Sequence, residues 1–457
     1  MTGEKVTPAA GGLTATLAAR AVSLRYAQLP EEVRTVAQDC LVDWLGCALG
    51  ALGEPVSQIV AEVALEEGGH GQATVIGRAE PATMMQAALI NGAVSHALDY
   101  DDVNLTVPGH MSVAILPALL ALAEQRNAGA AEFLAAFVSG YETACRIGAL
   151  VEPAHYANGF HATATIGSLG AAVACAHLLG LGAEQTAHAL GVAATQASGL
   201  KAMFGTMAKP LHAGLAAQAG LRAALLAQKG FVSRADVLEC PQGFAQVHGS
   251  DFHQEAALAQ PPGGFHLLGN LFKFHAACYS THSTIEAIMA LREQHGLHAA
   301  SVRGIHVLAG EGCRICNIQQ PATAMEAKFS LRATAAFAVL GMPTHDLDCW
   351  SRVAEPEVVS MLNRVHIELV PGMSLSESVV TVTLEDGRAL RQAFDCGIPI
   401  ADKSAQSARV RSKFAALAEP VLGIARRDSV LAALAQLEQA GGIAALARTL
   451  RVRLAQV

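Results

Sequence analysis

A short polar stretch at positions 91–111, reading NGAVSHALDYDDVNLTVPGHM, concentrates side chains that transfer protons or bind cations. These side chains belong to His96, Asp99, Asp101, Asp102 and His110. Only 15% of the chain is charged and 52% is hydrophobic, so enclosing such groups costs free energy unless they pair or do chemistry. The stretch therefore indicates a functional site, although acids beside a loop also serve as helix caps and turn supports.

Four further fragments combine a histidine or lysine with small residues, as a close-packed ligand site requires. They are AHYANGFHATATIGSLG at 154–170, FGTMAKPLHAG at 204–214, LFKFHAACYSTH at 271–282 and EAKFS at 326–330. Imidazoles act as acids or bases near neutral pH, and lysines supply compact positive charge. That combination suits removal of a proton next to a carboxylate, where the developing negative charge must be stabilised.

The composition argues against several other classes of protein. The net charge of -8, without a basic stripe of interleaved aromatics, disfavours a nucleic-acid partner. Ten scattered cysteines and an N-terminus without a hydrophobic signal core predict free thiols in the cytoplasm. Cys313 and Cys316 form a lone C-x-x-C, which predicts no metal site. The uncharged run 163–182 lacks basic flanks and an aromatic belt, so it predicts a buried helix and no membrane span.

The elements that must position these groups follow from the hydrophobic period. From position 13 to about 260 the apolar spacing is helical, and strand patterns are almost absent. Helices are predicted at Glu31–Leu49, Thr83–Leu98, Ser112–Arg126, Ala130–Leu150, Ala183–Ala197 and Leu211–Gln228. Abundant alanine and glycine let helices approach closely, which predicts a helical domain with several central helices that are apolar all round.

After the break at LAQPPGGFH the period changes. Strands are predicted at Val302–Leu308, Arg364–Val370, Val379–Leu384 and Arg388–Phe394, the last two as a hairpin through Glu385, Asp386 and Gly387. Helices are predicted in the same region at Thr281–His295 and Ala324–Leu340. These elements predict a compact α+β domain. From Ser404 onward the helical period returns, so this tail can rejoin the first domain.

The fragments DYDDVNLTVPGH, GFHATATIG, FGTMAKPLHAG, KFHAACYSTH and EAKFS, in this order, resemble the MmgE/PrpD family. That family includes 2-methylcitrate dehydratase, cis-aconitate decarboxylase and iminodisuccinate epimerase. The resemblance implies a mainly α fold, with a large all-helical domain built from both chain ends, residues 1–264 and 401–457. A smaller α+β domain, residues 265–400, is inserted between them. It also implies a homodimer, a site at the domain junction, and no required metal or organic cofactor.

The resemblance also assigns roles to individual residues. Asp99 matches the first acid of the family's D-[FYW]-[ND]-D segment, and His110 matches the histidine that closes the following loop. His161 matches the histidine of the GFH segment. Lys209 matches the lysine of T-x-K-P, and Lys273 matches the lysine that opens the interdomain segment. In the decarboxylase these positions line the catalytic pocket, so the resemblance implies the same here.

The sequence departs from the family pattern at several of these places. Val103 stands where the dehydratase and the decarboxylase have a threonine, and it forms no side-chain hydrogen bond. Cys278 replaces a histidine of the decarboxylase, Met111 replaces a proline, and the tyrosine of that enzyme has no clear match near Cys316. These departures disfavour decarboxylation of cis-aconitate. The CY-x-x-H pattern at 278–282 and the length of the loop before the histidine are closer to the epimerase.

Two sets of residues form the predicted site. Catalytic roles are predicted for His110, Asp99, His161, Lys273 and Tyr156, and substrate binding for Lys209, His212, Cys278 and His282. In this scheme Asp99 orients His110 as general acid or base, and Tyr156 donates a proton in place of the missing tyrosine. The lysines hold substrate carboxylates, and burial near each other lowers their pKa values so that either can instead act as a base.

Structural roles compete with these assignments. Asp99 is also a candidate helix cap, and Asp101 with Asp102 is a candidate loop brace. His161 can satisfy a buried carbonyl, and Lys328 can pair with Glu326. Three functions stay open. The leading one is a cofactor-independent, 2-methylcitrate dehydratase-like lyase acting on a small di- or tricarboxylate. The second is an iminodisuccinate epimerase-like isomerase, and the third a non-catalytic carboxylate-binding scaffold.

Overall fold

The computed structural model describes residues 11–438 and 442–452. Its fold is mainly α with a small α+β part, which confirms the predicted fold class. The described chain divides into two compact units. The first unit runs to Phe272 and resumes at Ile400, and the second is Lys273–Pro399.

The first unit is built almost entirely from helices. Up to Phe272 they are α1 (Leu13–Ser23), α2 (Glu31–Gly50), α3 (Pro55–Glu66), α4 (Met84–Ser95), α5 (Met111–Arg126), α6 (Ala130–Val151), α7 (Ala154–Ala157), α8 (Ala162–Leu178), α9 (Ala183–Ala194), α10 (Ala208–Gln228), α11 (Phe244–His248) and α12 (Gln254–Leu258). Each of the six helices predicted in this region is present, with ends shifted by three residues or fewer. The predicted buried helix at 163–182 is α8.

Helices α5 and α8 form the centre of this unit. Every residue of α5 from Met111 to Ala123 is buried, and α8 is buried from Ala162 to Ala176. These are the all-round apolar helices that the sequence predicts. Small residues bring α4 and α10 equally close, since a Cβ added to Gly92 would lie 2.7 Å from the Cα of Gly214. Close approach of backbones fixes where the ends of these helices lie.

Two short strands hold the loop that follows the paired acids. β1 (Val103–Asn104) pairs antiparallel with β2 (Asn270–Leu271), and Val103 lies opposite Leu271. The amino-acid sequence does not indicate this pairing, because two-residue strands carry no periodic pattern. The pairing ties Asn104, in the loop before α5, to Asn270, which lies 166 positions later in the chain.

The second unit contains a four-stranded sheet and helices. Its strands are β3 (Val302–Gly310), β4 (Val365–Val370), β5 (Glu377–Leu384) and β6 (Ala389–Asp395), in the order β4-β3-β5-β6. Strands β3 and β4 are parallel, and β5 and β6 form the predicted hairpin. Its helices are α13 (His282–His295), α14 (Ala324–Lys328), α15 (Leu331–Leu340) and α16 (Pro356–Leu362). The single helix predicted at 324–340 is wrong, because Ser330 caps α15 and interrupts it.

After the second unit the chain returns to the first as α17 (Lys403–Leu422), α18 (Ile424–Ala435) and α19 (Ile443–Thr449). Helix α17 packs along α2 through buried polar contacts. The Gln406 side-chain amide donates to Asp39 over 2.9 Å, and the Lys413 ammonium lies 2.6 Å from an Asp43 oxygen. The C-terminal helices therefore complete the interior around α2.

Within the described ranges no single helix is both long and apolar enough to cross a membrane. Helices α2 and α3 meet that test only together, across a bend of 90°. The ten cysteines are all free thiols, as the sequence predicts.

Candidate active site

Helix ends in the first unit bring together several of the predicted site residues. His96 follows α4 directly, His110 precedes α5, and His161 precedes α8. Lys209 and His212 lie at the beginning of α10. Because α4, α5, α8 and α10 pack against one another, their ends hold these side chains in a common place. The sequence positions are far apart, and tight helix packing is what unites them.

Asp99 occupies an unusual backbone conformation within this group. Its φ of 50° is in the left-handed region, which costs a non-glycine residue free energy that neighbouring contacts must offset. One oxygen of its carboxylate lies 2.8 Å from the Lys209 ammonium and 3.4 Å from His110 Nε2. The strained turn thus places Asp99 between a lysine and an imidazole.

Asp101 lies on the opposite side of His110. One of its carboxylate oxygens is 2.9 Å from His110 Nδ1, and the other is 2.9 Å from His96 Nδ1. Burial alone would raise the pKa of this wholly buried acid, but the two imidazoles outweigh burial and hold its pKa well below the usual range. The Asp101 side chain is therefore an ionised carboxylate shared between two histidines.

A second pair of imidazoles lies beside the first. His161 Nδ1 and His212 Nδ1 are 3.1 Å apart, and the His161 ring meets the Phe204 ring edge-on at 5.0 Å. Burial, and then the positive charge of neighbours including His96 and Lys209, lowers the pKa of His161. Burial also lowers the pKa of His212. Both rings are thus neutral near pH 7, and one ring donates its Nδ1 hydrogen to the other.

These residues are here called the imidazole cluster. It comprises His96, Asp99, Asp101, His110, His161, Lys209 and His212. Four of its members, namely His96, Asp99, Asp101 and His110, have ligand atoms within 4.8 Å of one another, close enough to hold a metal ion. A cation at Asp99 would have to displace the Lys209 ammonium, which already lies 2.8 Å from that carboxylate. The donor set therefore suits acid–base chemistry better than metal binding.

Asp102, the neighbour of Asp101, faces away from the cluster. Its carboxylate accepts a hydrogen bond of 2.7 Å from the Ser112 hydroxyl, and its backbone N–H donates to Asp43 over 3.1 Å. Burial, followed by repulsion from Asp43, raises the pKa of Asp102 to about 8. These contacts with α2 and α5 correspond to the loop-bracing role that the sequence left open for this residue.

The second unit carries three further predicted residues, Lys273, Cys278 and His282. Lys273 is buried, and the backbone N–H of Cys278 donates to the Lys328 carbonyl over 3.0 Å. His282 lies 3.3 Å from the Ala277 carbonyl, and burial, reinforced by His275 and Lys273, holds its pKa well below the usual value. His282 is therefore a neutral imidazole within this unit.

Tyr156 is half-buried on α7, in the first unit. The ammonium of Lys201 lies 3.4 Å from the centre of its ring and donates to its backbone carbonyl over 2.8 Å. Its N–H donates to Glu152. This tyrosine is thus anchored through its backbone and its ring face, and its role as a proton donor stays a prediction.

Besides His96, which contacts Asp101, two members of the site are missing from the sequence-based assignments. Asp101 is one, since three acids within four positions cannot be told apart without knowing which way each turns. Phe204 is the other, with its ring 5.0 Å from both the Lys209 ammonium and the His161 ring. Phe204 lies in the FGTMAKP fragment, five residues before Lys209, and this closeness to a predicted site residue is the sequence signal that indicates it.

Comparison with known proteins gives consistent matches over most of the chain. The MmgE/PrpD N-terminal domain matches residues 15–257, and the MmgE/PrpD C-terminal domain matches residues 275–439. The cis-aconitate decarboxylase-like protein oryM of Aspergillus oryzae is 31% identical over 301 residues, 62% of this chain and 62% of that protein, which is less than two thirds of its length. Human cis-aconitate decarboxylase is 26% identical over 453 residues, 93% of this chain and 92% of that protein. The mouse enzyme of the same name is 26% identical over 432 residues, 90% and 88% of the two chains.

Proposed function

The chain belongs to the MmgE/PrpD family, and from that premise we propose that it is a cofactor-independent lyase acting on a small di- or tricarboxylate. The reaction begins with removal of a proton next to a carboxylate, and the leading candidate is dehydration of a 2-methylcitrate-like acid. One observation carries the proposal. His110 lies between the carboxylates of Asp101, at 2.9 Å, and Asp99, at 3.4 Å, with the Lys209 ammonium next to Asp99.

His110 is the proton-transferring group in this scheme. A carboxylate near each ring nitrogen stabilises the imidazolium, so the ring can keep a proton that it has taken from a carbon acid. General acid–base catalysis by a positioned imidazole contributes roughly 10²- to 10⁴-fold in rate. His161 is the second group, and as a neutral ring paired with His212 it can assist departure of the hydroxyl.

Lys209 is proposed to bind a substrate carboxylate. Its ammonium lies 2.8 Å from Asp99, so a small polyanion can compete with that acid for the same cation. As the proton leaves, negative charge spreads onto the carboxylate, and a nearby cation stabilises this charge more than it stabilises the ground state. Lys209 thereby contributes to both binding and rate. The family resemblance further supports a homodimer, which light scattering on the purified protein tests.

Two other reactions use the same proton transfer. The similar fungal and mammalian proteins named as cis-aconitate decarboxylases favour decarboxylation of cis-aconitate as the second candidate. Val103 and Cys278 stand where that enzyme has hydrogen-bonding side chains, which keeps decarboxylation behind dehydration. Epimerisation of an iminodisuccinate-like acid needs two bases on opposite faces of one carbon, and His110 and His161 supply two separate imidazoles.

One experiment separates these reactions. The protein is incubated in deuterium oxide with 2-methylcitrate, citrate, cis-aconitate or iminodisuccinate, and each mixture is followed by NMR. An alkene with loss of water supports dehydration, loss of carbon dioxide supports decarboxylation, and deuterium incorporation with racemisation supports epimerisation. Neither turnover nor deuterium exchange with any of these acids would contradict the proposal and favour a carboxylate-binding scaffold.

Replacing His110 tests the site on the same substrate. We expect His110→Gln to lower kcat by about 10³-fold, because the ring that carries the proton is lost. The matched control is His177→Gln, which replaces a half-buried histidine at the far end of α8 whose Nε2 lies 2.9 Å from the Leu24 carbonyl. The control should keep near wild-type kcat. Equal kcat values for the two variants would show that His110 is not the proton-transferring group.

A further inference from the structure

Asp101 lies close to two histidines, one at each carboxylate oxygen. Its two oxygens lie 2.9 Å from His110 Nδ1 and 2.9 Å from His96 Nδ1, and the carboxylate is wholly buried. An ionised carboxylate only accepts hydrogen bonds, so His96 Nδ1, which is hydrogen-bonded to it, carries a hydrogen. The contact with His110 Nδ1 is equally short but is not aligned as a hydrogen bond, and the nearby negative charge favours a hydrogen on that nitrogen too. The hydrogen on one ring nitrogen of a neutral histidine decides which nitrogen has the lone pair.

We propose that Asp101 is a positioning residue that keeps a hydrogen on His110 Nδ1, so that every proton exchanged with substrate passes through His110 Nε2. This inference rests on the proposed function only in taking His110 as the group that exchanges protons. Nε2 is the nitrogen that faces Asp99, 3.4 Å away, and Asp99 in turn contacts Lys209. The proton is thereby delivered on the side of the ring where the substrate-binding cation lies.

His96 has a supporting part in this arrangement. It donates to the second oxygen of Asp101, and among the described residues its own Nε2 is buried without a hydrogen-bond partner. A second donor makes the carboxylate less basic, so Asp101 keeps its charge when His110 becomes an imidazolium. Asp101 therefore orients and stabilises the His110 ring and does not accept the proton itself. The acid has the same role in other acid–histidine pairs.

The first test compares two adjacent substitutions. In Asp101→Asn, the amide oxygen accepts from one ring, but the amide NH₂ group faces the other ring as a donor. Only one of the two Nδ1 hydrogens is then stabilised. We expect kcat to fall by about 10²- to 10⁴-fold, by analogy with loss of the orienting acid in a serine protease triad. KM should change little, because Asp101 contacts the histidines and is not placed on the substrate.

Asp102→Asn is the matched control, since it changes the next residue, which is equally buried but faces Asp43 and Ser112. Its kcat should stay near wild type. Equal kcat values for the two variants, whether both high or both low, would overturn the proposal. If Asp101→Asn does not fold, the second test decides.

The second test measures the hydrogen directly in the wild-type protein. Histidines labelled with ¹⁵N are observed by long-range ¹H–¹⁵N NMR, and the His110 signals are assigned by their loss in His110→Gln. The pH is raised until His110 becomes neutral. Loss of the hydrogen from Nε2, with Nδ1 still protonated, supports the proposal, and loss from Nδ1 overturns it.

This measurement does not depend on turnover. If none of the carboxylates is converted, the proposed function fails while the NMR result still decides the position of the hydrogen. If the substrate is converted but the hydrogen leaves Nδ1, the lyase proposal stands and the role of Asp101 is wrong.

Discussion

Asp101 and Asp102 are consecutive, wholly buried acids whose pKa values shift in opposite directions. Asp101 lies between two imidazoles, which keep its pKa well below the usual range despite burial. Asp102 lies beside another acid, and burial together with Asp43 raises its pKa to about 8. The difference shows that depth of burial alone does not decide whether a buried acid is charged. The chemistry of the neighbouring side chains decides it.

The same contrast divides the surroundings of this turn into two regions. On one side is the imidazole cluster, and on the other is a group of structural contacts here called the brace. The brace comprises Asp43, Asp102, Ser112 and Lys413. In the brace, Lys413 contacts Asp43 and donates to the Tyr100 carbonyl over 2.5 Å, which joins α17, α2 and the turn. Changes in the brace should therefore reduce stability, and changes in the cluster should reduce activity.

The largest effect on stability is expected for Lys413→Met. The lysine and Asp43 are both buried, so its removal leaves an acid without its cation, a loss that typically costs about 3–5 kcal/mol. Burial already raises the pKa of Asp43 to about 6, so the acid can escape part of this cost by taking up a proton. The loss of unfolding free energy, measured in urea, should consequently be smaller at acidic pH than at alkaline pH.

Lys403→Met is the control for that experiment, because it replaces a lysine of the same helix that donates to the Ile400 carbonyl. It should cost far less than Lys413→Met. Turnover by folded Lys413→Met should remain close to wild type. A large fall in kcat without a loss of stability would place Lys413 functionally with the cluster and break the contrast.

The counterpart in the cluster is Lys209→Met. Removing one preorganised cation that stabilises developing charge typically lowers kcat/KM by about 10²- to 10³-fold. The unfolding free energy should change by less than about 1 kcal/mol, because Lys209 and its partner Asp99 are both partly exposed to solvent. Steady-state kinetics and urea unfolding on one preparation check both statements. If Lys209→Met were fully active but unstable, Lys209 would contribute to stability and not to activity.

Much of this arrangement follows from the sequence, but the division between the two acids does not. Uncharged apolar runs predict α5 and α8, because segments that are apolar all round have few stable placements other than the interior. Motif resemblance predicts Asp99, His110, His161 and Lys209 as site residues. The sequence gives no sign that Asp101 turns toward His96 while Asp102 turns toward Asp43, because both are aspartates in one irregular turn. That choice depends on helices that meet only in the folded chain.

The smallest expected effect between two measurements, about 1.4 kcal/mol for a step of one pH unit, measures the charge of Asp102 directly. Its folded pKa of about 8 lies above the value of about 3.9 for an unfolded chain, so the folded protein keeps a proton that the unfolded chain releases. This contribution to stability is complete below about pH 4 and falls by up to about 1.4 kcal/mol per pH unit until about pH 8.

Asp102→Asn cannot titrate and lacks this slope. The stability of the variant relative to wild type should therefore rise with pH, as measured by urea unfolding at several pH values. Parallel pH profiles would mean that Asp102 is charged like its neighbour, and the contrast between the two acids would disappear.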